Sequence, residues 1–196
     1  MKTTARSFVF ALALLMAPPA WAVSLYTLTT DNKLLLIDGD VPANISSVRA
    51  ITGLDAGDEL VGIDVRPATG QLYALSRDAS LYTINPVTAA ATKVADLAAD
   101  PADGTAPFYT ALSGAKFGID FNPVVDRLRV VSDAEINLRV NPTNGLVSAD
   151  TPLAYGPAPD RNAGTNPNIR DIAYSNNFAG ATATTLSRSM KRRSTS

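Results

Sequence analysis

The stretch VGIDVRPATGQLYALSRDASLYTINP, Val61 to Pro86, reads as three short strands joined by tight turns. Val61, Ile63 and Val65 point to one side, and Gly62, Asp64 and Arg66 to the other. Pro67-Ala-Thr-Gly70 is a turn signal, followed by a second strand over Gln71 to Leu75. Arg77 to Ser80 turns again, Leu81 to Ile84 is a third strand, and Asn85-Pro86 ends it. Ala91 to Val94 supplies a fourth. The pattern returns 56 residues later. Gly118-Ile-Asp-Phe-Asn-Pro123 repeats Gly62-Ile-Asp-Val-Arg-Pro67, Leu128 and Ser132 fall on Leu72 and Ser76, and Asn141-Pro142 falls on Asn85-Pro86. Phe117, Ile119 and Phe121 again alternate with Gly118, Asp120 and Asn122. A partial copy over Leu25 to Asp38 matches Leu72 to Asn85 at a spacing of 47. A fourth begins at Asp171-Ile-Ala-Tyr174. Unequal spacings mean that the inserts between copies differ. The expected class is all-β, with β-propeller-like repeats of short antiparallel strands. A β-sandwich is the alternative.

Outside the repeats the chain carries a label at its start. Lys2 and Arg6 precede the apolar run Ser7 to Met16, two prolines break it, and Ala20-Trp21-Ala22 forms a cleavage site. That layout predicts an export signal over residues 1–22 and a periplasmic or extracellular product. The apolar run is too short to span a bilayer. The 196 residues contain no Cys and no His. Disulfides, thiolate metal sites, cysteine nucleophiles, His-ligated zinc and the Ser-His-Asp triad are therefore excluded. Of the 17 basic residues, Lys2 and Arg6 lie in the signal, and Arg188, Lys191, Arg192 and Arg193 in the last nine positions; 11 remain against 18 acids, a net charge of −7 for the body. A body of that sign is a poor partner for nucleic acid.

The runs Val61 to Val94, "FGIDFNPVVDRLRVVSD" with "NLRVNPTNGLV" (Phe117 to Val147), and "RDIAYSNNFAGATATTL" (Arg170 to Leu186) resemble the DUF4394 family of bacterial exported proteins. The resemblance covers roughly Leu25 to Leu186. It implies a propeller-like fold and carries over no activity or functional residue. Residues 23–186 are expected to form the repeat domain. In the family "TTL" continues into a further strand, whereas here Ser187 to Ser196 has no apolar alternation and is basic. Residues 187–196 are thus expected to be a non-native or disordered tail, left by a frameshift near Leu186 that leaves the propeller incomplete. A real basic tail that binds lipid or nucleic acid is the alternative. An incomplete propeller exposes a sheet edge prone to self-association.

Four polar positions in the repeat are candidate binding residues. Asp64 and Asp120 recur at equivalent places, as carboxylates lining a channel or as acceptors for backbone N–H groups in an adjacent turn. Arg66 and Asn122 vary at the next position, as a ligand site or a solvated face would. Asp38-Gly39-Asp40 and Asp100 with Asp103-Gly104 could hold calcium, but lack the EF-hand spacing. Arg127, Arg129 and Arg139 form a basic strip or a set of salt bridges. The loop Asn162 to Asn168 is a binding loop or a disordered insert. No catalytic residue, metal site or cofactor is expected. The expected function is a non-enzymatic module that binds a protein or glycan, or acts as a scaffold. The alternative is a hydrolase or lactonase in which a divalent cation polarises an ester.

Overall fold

The computed structural model describes residues 24–190. The expected export signal, residues 1–22, lies outside them, as do residues 191–196 of the expected tail. Fourteen strands and no helix occur among the described residues. They divide into four separate sheets rather than the two face-packed sheets of a sandwich. Sheet 1 contains β1 (Ser24–Leu28), β2 (Lys33–Asp38) and β3 (Ile45–Ala50). Sheet 2 contains β4 (Leu60–Val65), β5 (Leu72–Ser76), β6 (Ser80–Ile84) and β7 (Ala91–Asp96). Sheet 3 runs β9 (Phe117–Asn122), β10 (Arg127–Ser132), β11 (Asn137–Val140), β12 (Leu146–Ala149), with β8 (Ala98–Ala99) added at its outer edge. Sheet 4 pairs β13 (Ile169–Tyr174) with β14 (Leu186–Met190).

The register follows the sequence spacings. Leu72 faces Ile84 and Leu75 faces Leu81 across β5 and β6. Leu25 faces Ile37 and Leu28 faces Leu34, offset by 47. Leu128 faces Val140 and Val131 faces Asn137, offset by 56. The turn between these strands needs one left-handed residue, and it falls at matching places: Asn32 (φ 55°), Ala79 (φ 67°) and Glu135 (φ 68°). Asn85 and Asn141 close the next turn, each side chain accepting main-chain N–H bonds two residues on, the local bonding that favours Asn at such positions.

Burial follows strand alternation. On β5, Tyr73 and Leu75 face sheet 3 while Leu72 and Ala74 face sheet 1. Twelve buried apolar residues join sheets 2 and 3, eight join sheets 1 and 2, and three (Val131, Ile169, Ile172) join sheets 3 and 4. The outer edges of sheets 2 and 3 are both capped by chain leaving the preceding sheet. Thr52 bridges Ala90 in parallel beside β7, and β8 pairs in parallel with β12. Such caps remove unpaired edge groups.

The tail boundary requires a correction. Ser187, Arg188 and Ser189 lie opposite Ala173, Ile172 and Asp171 as part of β14. The free edge of β13 offers unpaired N–H and C=O groups, and main-chain pairing does not need apolar alternation. The side chains record the difference: Arg188 stands where sheets 2 and 3 place Ala74 and Val130, and it is exposed whereas they are buried.

Candidate functional site

The first strands of the four sheets lie side by side, β1 beside β4, β4 beside β9, and β9 beside β13. Two glycines allow this approach. A Cβ on Gly62 would lie 2.8 Å from the Ile119 side chain, and one on Gly118 would lie 2.7 Å from the Asp171 backbone. Asp64 follows two residues after Gly62. Its Oδ1 accepts from Val65 N at 2.8 Å, and its Oδ2 accepts from Phe121 N on β9 at 2.7 Å. Asp120 repeats the reach: its Oδ2 accepts from Tyr174 N on β13 at 2.6 Å. Each carboxyl therefore stands in for a neighbouring strand and satisfies a free edge N–H. The partner is the first strand of the next sheet, not the adjacent turn that the sequence suggested. In sheet 4 the corresponding position is Ala173, so this series of bonds ends there.

The pair is electrostatically unusual. Burial pushes the Asp120 carboxyl up to about 7, with the Asp64 charge adding to the rise and Asp171 contributing further. Burial also raises Asp64, although the Phe121 and Val65 amides oppose this. Two close carboxyls with little water cannot both ionise cheaply.

Arg66 and Asn122 have separate tasks. Arg66 Nε donates to Asp126 Oδ1 at 2.8 Å and its second guanidinium nitrogen to Asp126 Oδ2, a bidentate pair onto the β9–β10 turn. Asn122 Oδ1 accepts from Val124 N and Val125 N, so it caps its own turn. The structure thus brings Asp64 and Asp120 together and leaves Arg66 and Asn122 apart from them.

A cavity of about 440 Å³ opens between the first strands, with Thr27, Gly62, Gly118, Arg170 and Asp171 in its wall. Neither Asp64 nor Asp120 lines it. Arg129 and Arg139 both bind Asp150, at 2.6 and 2.9 Å. Arg127 instead donates to the Asp126 carbonyl. Asp38 accepts from Asp40 N, and Asp100 from Ala102 N. Asp103 Oδ1 accepts from Thr105, while its buried Oδ2 has no partner. No group of three Asp or Glu side chains is placed to hold a metal among the described residues. The Asn162–Asn168 loop is stitched by its own turns and tied to the Asp133 carbonyl through Asn166 at 3.0 Å.

Sequence reading missed Asp126 and Asp58. Asp126 occupies the left-handed turn position held by Gly70 in sheet 2, and a charged residue at a glycine position was the available signal. Asp58 accepts from the buried Tyr82 hydroxyl; no local pattern announces a partner 24 residues away.

Taken together, the structure defines an all-β protein of consecutive, largely antiparallel sheets, in which sheets 2, 3 and 4 are joined through their first strands by glycine approaches and carboxyl-to-backbone bonds. The chain belongs to the DUF4394 family, a domain of unknown function whose sequence model matches residues 33–189. No curated protein and no solved structure matches it. No described helix is long and apolar enough to cross a membrane.

Proposed function

We propose that this chain is an exported, non-enzymatic, propeller-like module that binds a protein or glycan at the cavity between its first strands and needs no cofactor. The cavity is the observation that carries this reading. Every sheet contributes a strand to its wall, and strand edges present main-chain donors and acceptors there. Arg170 and Asp171 occur in sheet 4 where the repeat has Phe117 and Gly118, so the wall gains charge on one side only. The carboxyls that recur in the repeat are occupied with backbone N–H groups, which supports a structural use for them. Export rests on the pattern of residues 1–22.

The cation-assisted hydrolase has one feature in its favour, the unpartnered Asp103 Oδ2. The test is a glycan and peptide array probed with the wild-type chain and with Thr27→Trp, which fills the cavity from an exposed wall position. Binding by the wild type that Thr27→Trp removes is the expected result. Binding indifferent to that substitution, or a blank array, would overturn the reading. A calcium titration followed by thermal unfolding should leave Tm unchanged. A rise with calcium, by preferential binding to the folded state, together with ester hydrolysis would favour the enzyme.

A further inference from the structure

We propose that Asp64 and Asp120 form a proton-operated catch on the joint between sheets 3 and 4, closed while the pair holds one proton and loosened when it leaves to water. The proposal does not depend on what the cavity binds. Its basis is the shared geometry of the two joints. Asp64 reaches from β4 to β9, and Asp120 reaches from β9 to β13. With one proton on Asp120, its hydroxyl can donate toward Asp64 while its other oxygen accepts from Tyr174 N. Without that proton, two neighbouring carboxylates face each other at the joint.

The surrounding charges do not relieve this. From β5, Tyr73 lies opposite Asp64, and its hydroxyl is within 3.5 Å of Arg66, which is paired with Asp126. From β10, Arg129 lies opposite Asp120 but is held by Asp150 at 2.6 Å and Asn137 at 2.7 Å, and its Nε reaches the Tyr174 hydroxyl at 3.3 Å. From β13, Asp171 adds another negative charge and Tyr174 supplies only its amide and that hydroxyl. The nearby cations are thus engaged elsewhere. Any motion that wets Asp120 returns it toward ordinary carboxylate behaviour, so opening and proton loss are linked. Sheet 4 is the part that can open, because among the described residues only three buried apolar side chains hold it to sheet 3. Its strand β13 forms one wall of the cavity, so the catch also governs the width of that opening.

The test is amide exchange, corrected for intrinsic rate, at Tyr174 and at Leu75 between pH 5 and pH 8, with the Asp120 carboxyl carbon followed by NMR. Tyr174 protection is expected to fall about tenfold or more while Leu75 protection holds, and the carboxyl to titrate near neutrality. In Asp120→Asn the carbonyl still accepts from Tyr174 and the amide still donates toward Asp64, so Tyr174 protection should no longer depend on pH. Titration of Asp120 in the ordinary carboxylate range would overturn the proposal. So would Tyr174 and Leu75 changing in step, or a pH dependence that survives in the variant. If the variant does not fold, the wild-type titration and the two amides still decide.

Discussion

The joint between sheets 2 and 3 and the joint between sheets 3 and 4 use one backbone plan with different side chains. At an offset of 56, Tyr73, Leu75, Leu81 and Thr83 become Arg129, Val131, Asn137 and Arg139. On the first joint Tyr73 meets Phe121 edge-on at 5.3 Å, within a cluster of twelve buried apolar residues. On the second, Arg129 and Arg139 converge on Asp150 within sheet 3, and Arg129 Nε reaches across to the Tyr174 hydroxyl at 3.3 Å. Apolar burial is non-directional and grows with area. Partly exposed ion pairs contribute little net stability, because desolvation and ordering offset the attraction. Backbone register can therefore repeat faithfully while the strength of attachment does not. Sheets 2 and 3 form the firm centre, and sheet 4 is held by a cluster of three buried apolar residues, the Arg129–Tyr174 contact and the Asp120 bond.

The largest expected effect lies at the firm joint. Leu81 is fully buried, and Leu81→Ala should cost about 3–4 kcal/mol in urea unfolding. Ile172→Ala in sheet 4 should cost about 2 kcal/mol, since that site is less enclosed and can collapse. Equal costs would break the contrast between the joints.

Next come the glycines. A Cβ on Gly118 meets the Asp171 backbone, which cannot rotate away, whereas one on Gly62 meets the Cγ1 and Cδ1 atoms of Ile119, a side chain that can yield further than main chain. Gly118→Ala should therefore destabilise by about 2–3 kcal/mol and Gly62→Ala by about 1 kcal/mol. The same order should appear in Tm. Reversal of that order would mean that sheet 4 yields more easily than the Ile119 side chain.

The carboxyls separate the joints by pH. Asp120 is raised from 3.8 to about 7, so the folded state holds its proton more tightly than the unfolded chain. The stabilisation is complete below about pH 4 and is lost as pH rises to about 7. Tm should fall across that window in the wild type and flatten in Asp120→Asn. Asp64→Asn should behave differently. Both Asp64 oxygens accept main-chain N–H bonds, and an amide nitrogen in place of one leaves a donor unpaired. The expected loss is about 1–2 kcal/mol. A harmless Asp64→Asn would show that water already serves one of those donors.

Much of this organisation was legible in the chain, and the limit has a physical cause. The Gly-Ile-Asp motif and the Asn-Pro turns repeat because each position has a local backbone task, and local tasks leave local signatures. The pairing register accordingly repeats at the spacings of 47 and 56. Candidate binding residues were harder to read. A carboxyl in an alternating strand looks the same whether it faces a ligand or a neighbouring strand 57 residues away. Arg66 and Asp126 lie 60 residues apart, and only the stacking of sheets brings them together. Strand β14 was missed because edge pairing can recruit main chain whose side chains carry no strand pattern.

The smallest expected effect concerns the turn shared by sheets 1, 2 and 3. Asn32, Ala79 and Glu135 all take a left-handed conformation there, which costs roughly 1–2 kcal/mol for most residues and less for Asn. Asn32 also serves a joint: its Oδ1 accepts from Leu60 N at 2.9 Å, and its Nδ2 donates to the Asp58 carbonyl at 2.8 Å. Ala79 packs against the core, so replacing it would disturb buried contacts. Glu135 has neither constraint. Glu135→Asn should raise stability by about 0.5 kcal/mol in urea unfolding by easing the turn alone. Ala79→Asn should lower it, because the same backbone relief is outweighed by a polar side chain against apolar neighbours. If both substitutions stabilised equally, packing at the Ala79 turn would count for less than backbone conformation, and the firmness assigned to the sheet 2 and 3 joint would rest on its strands alone.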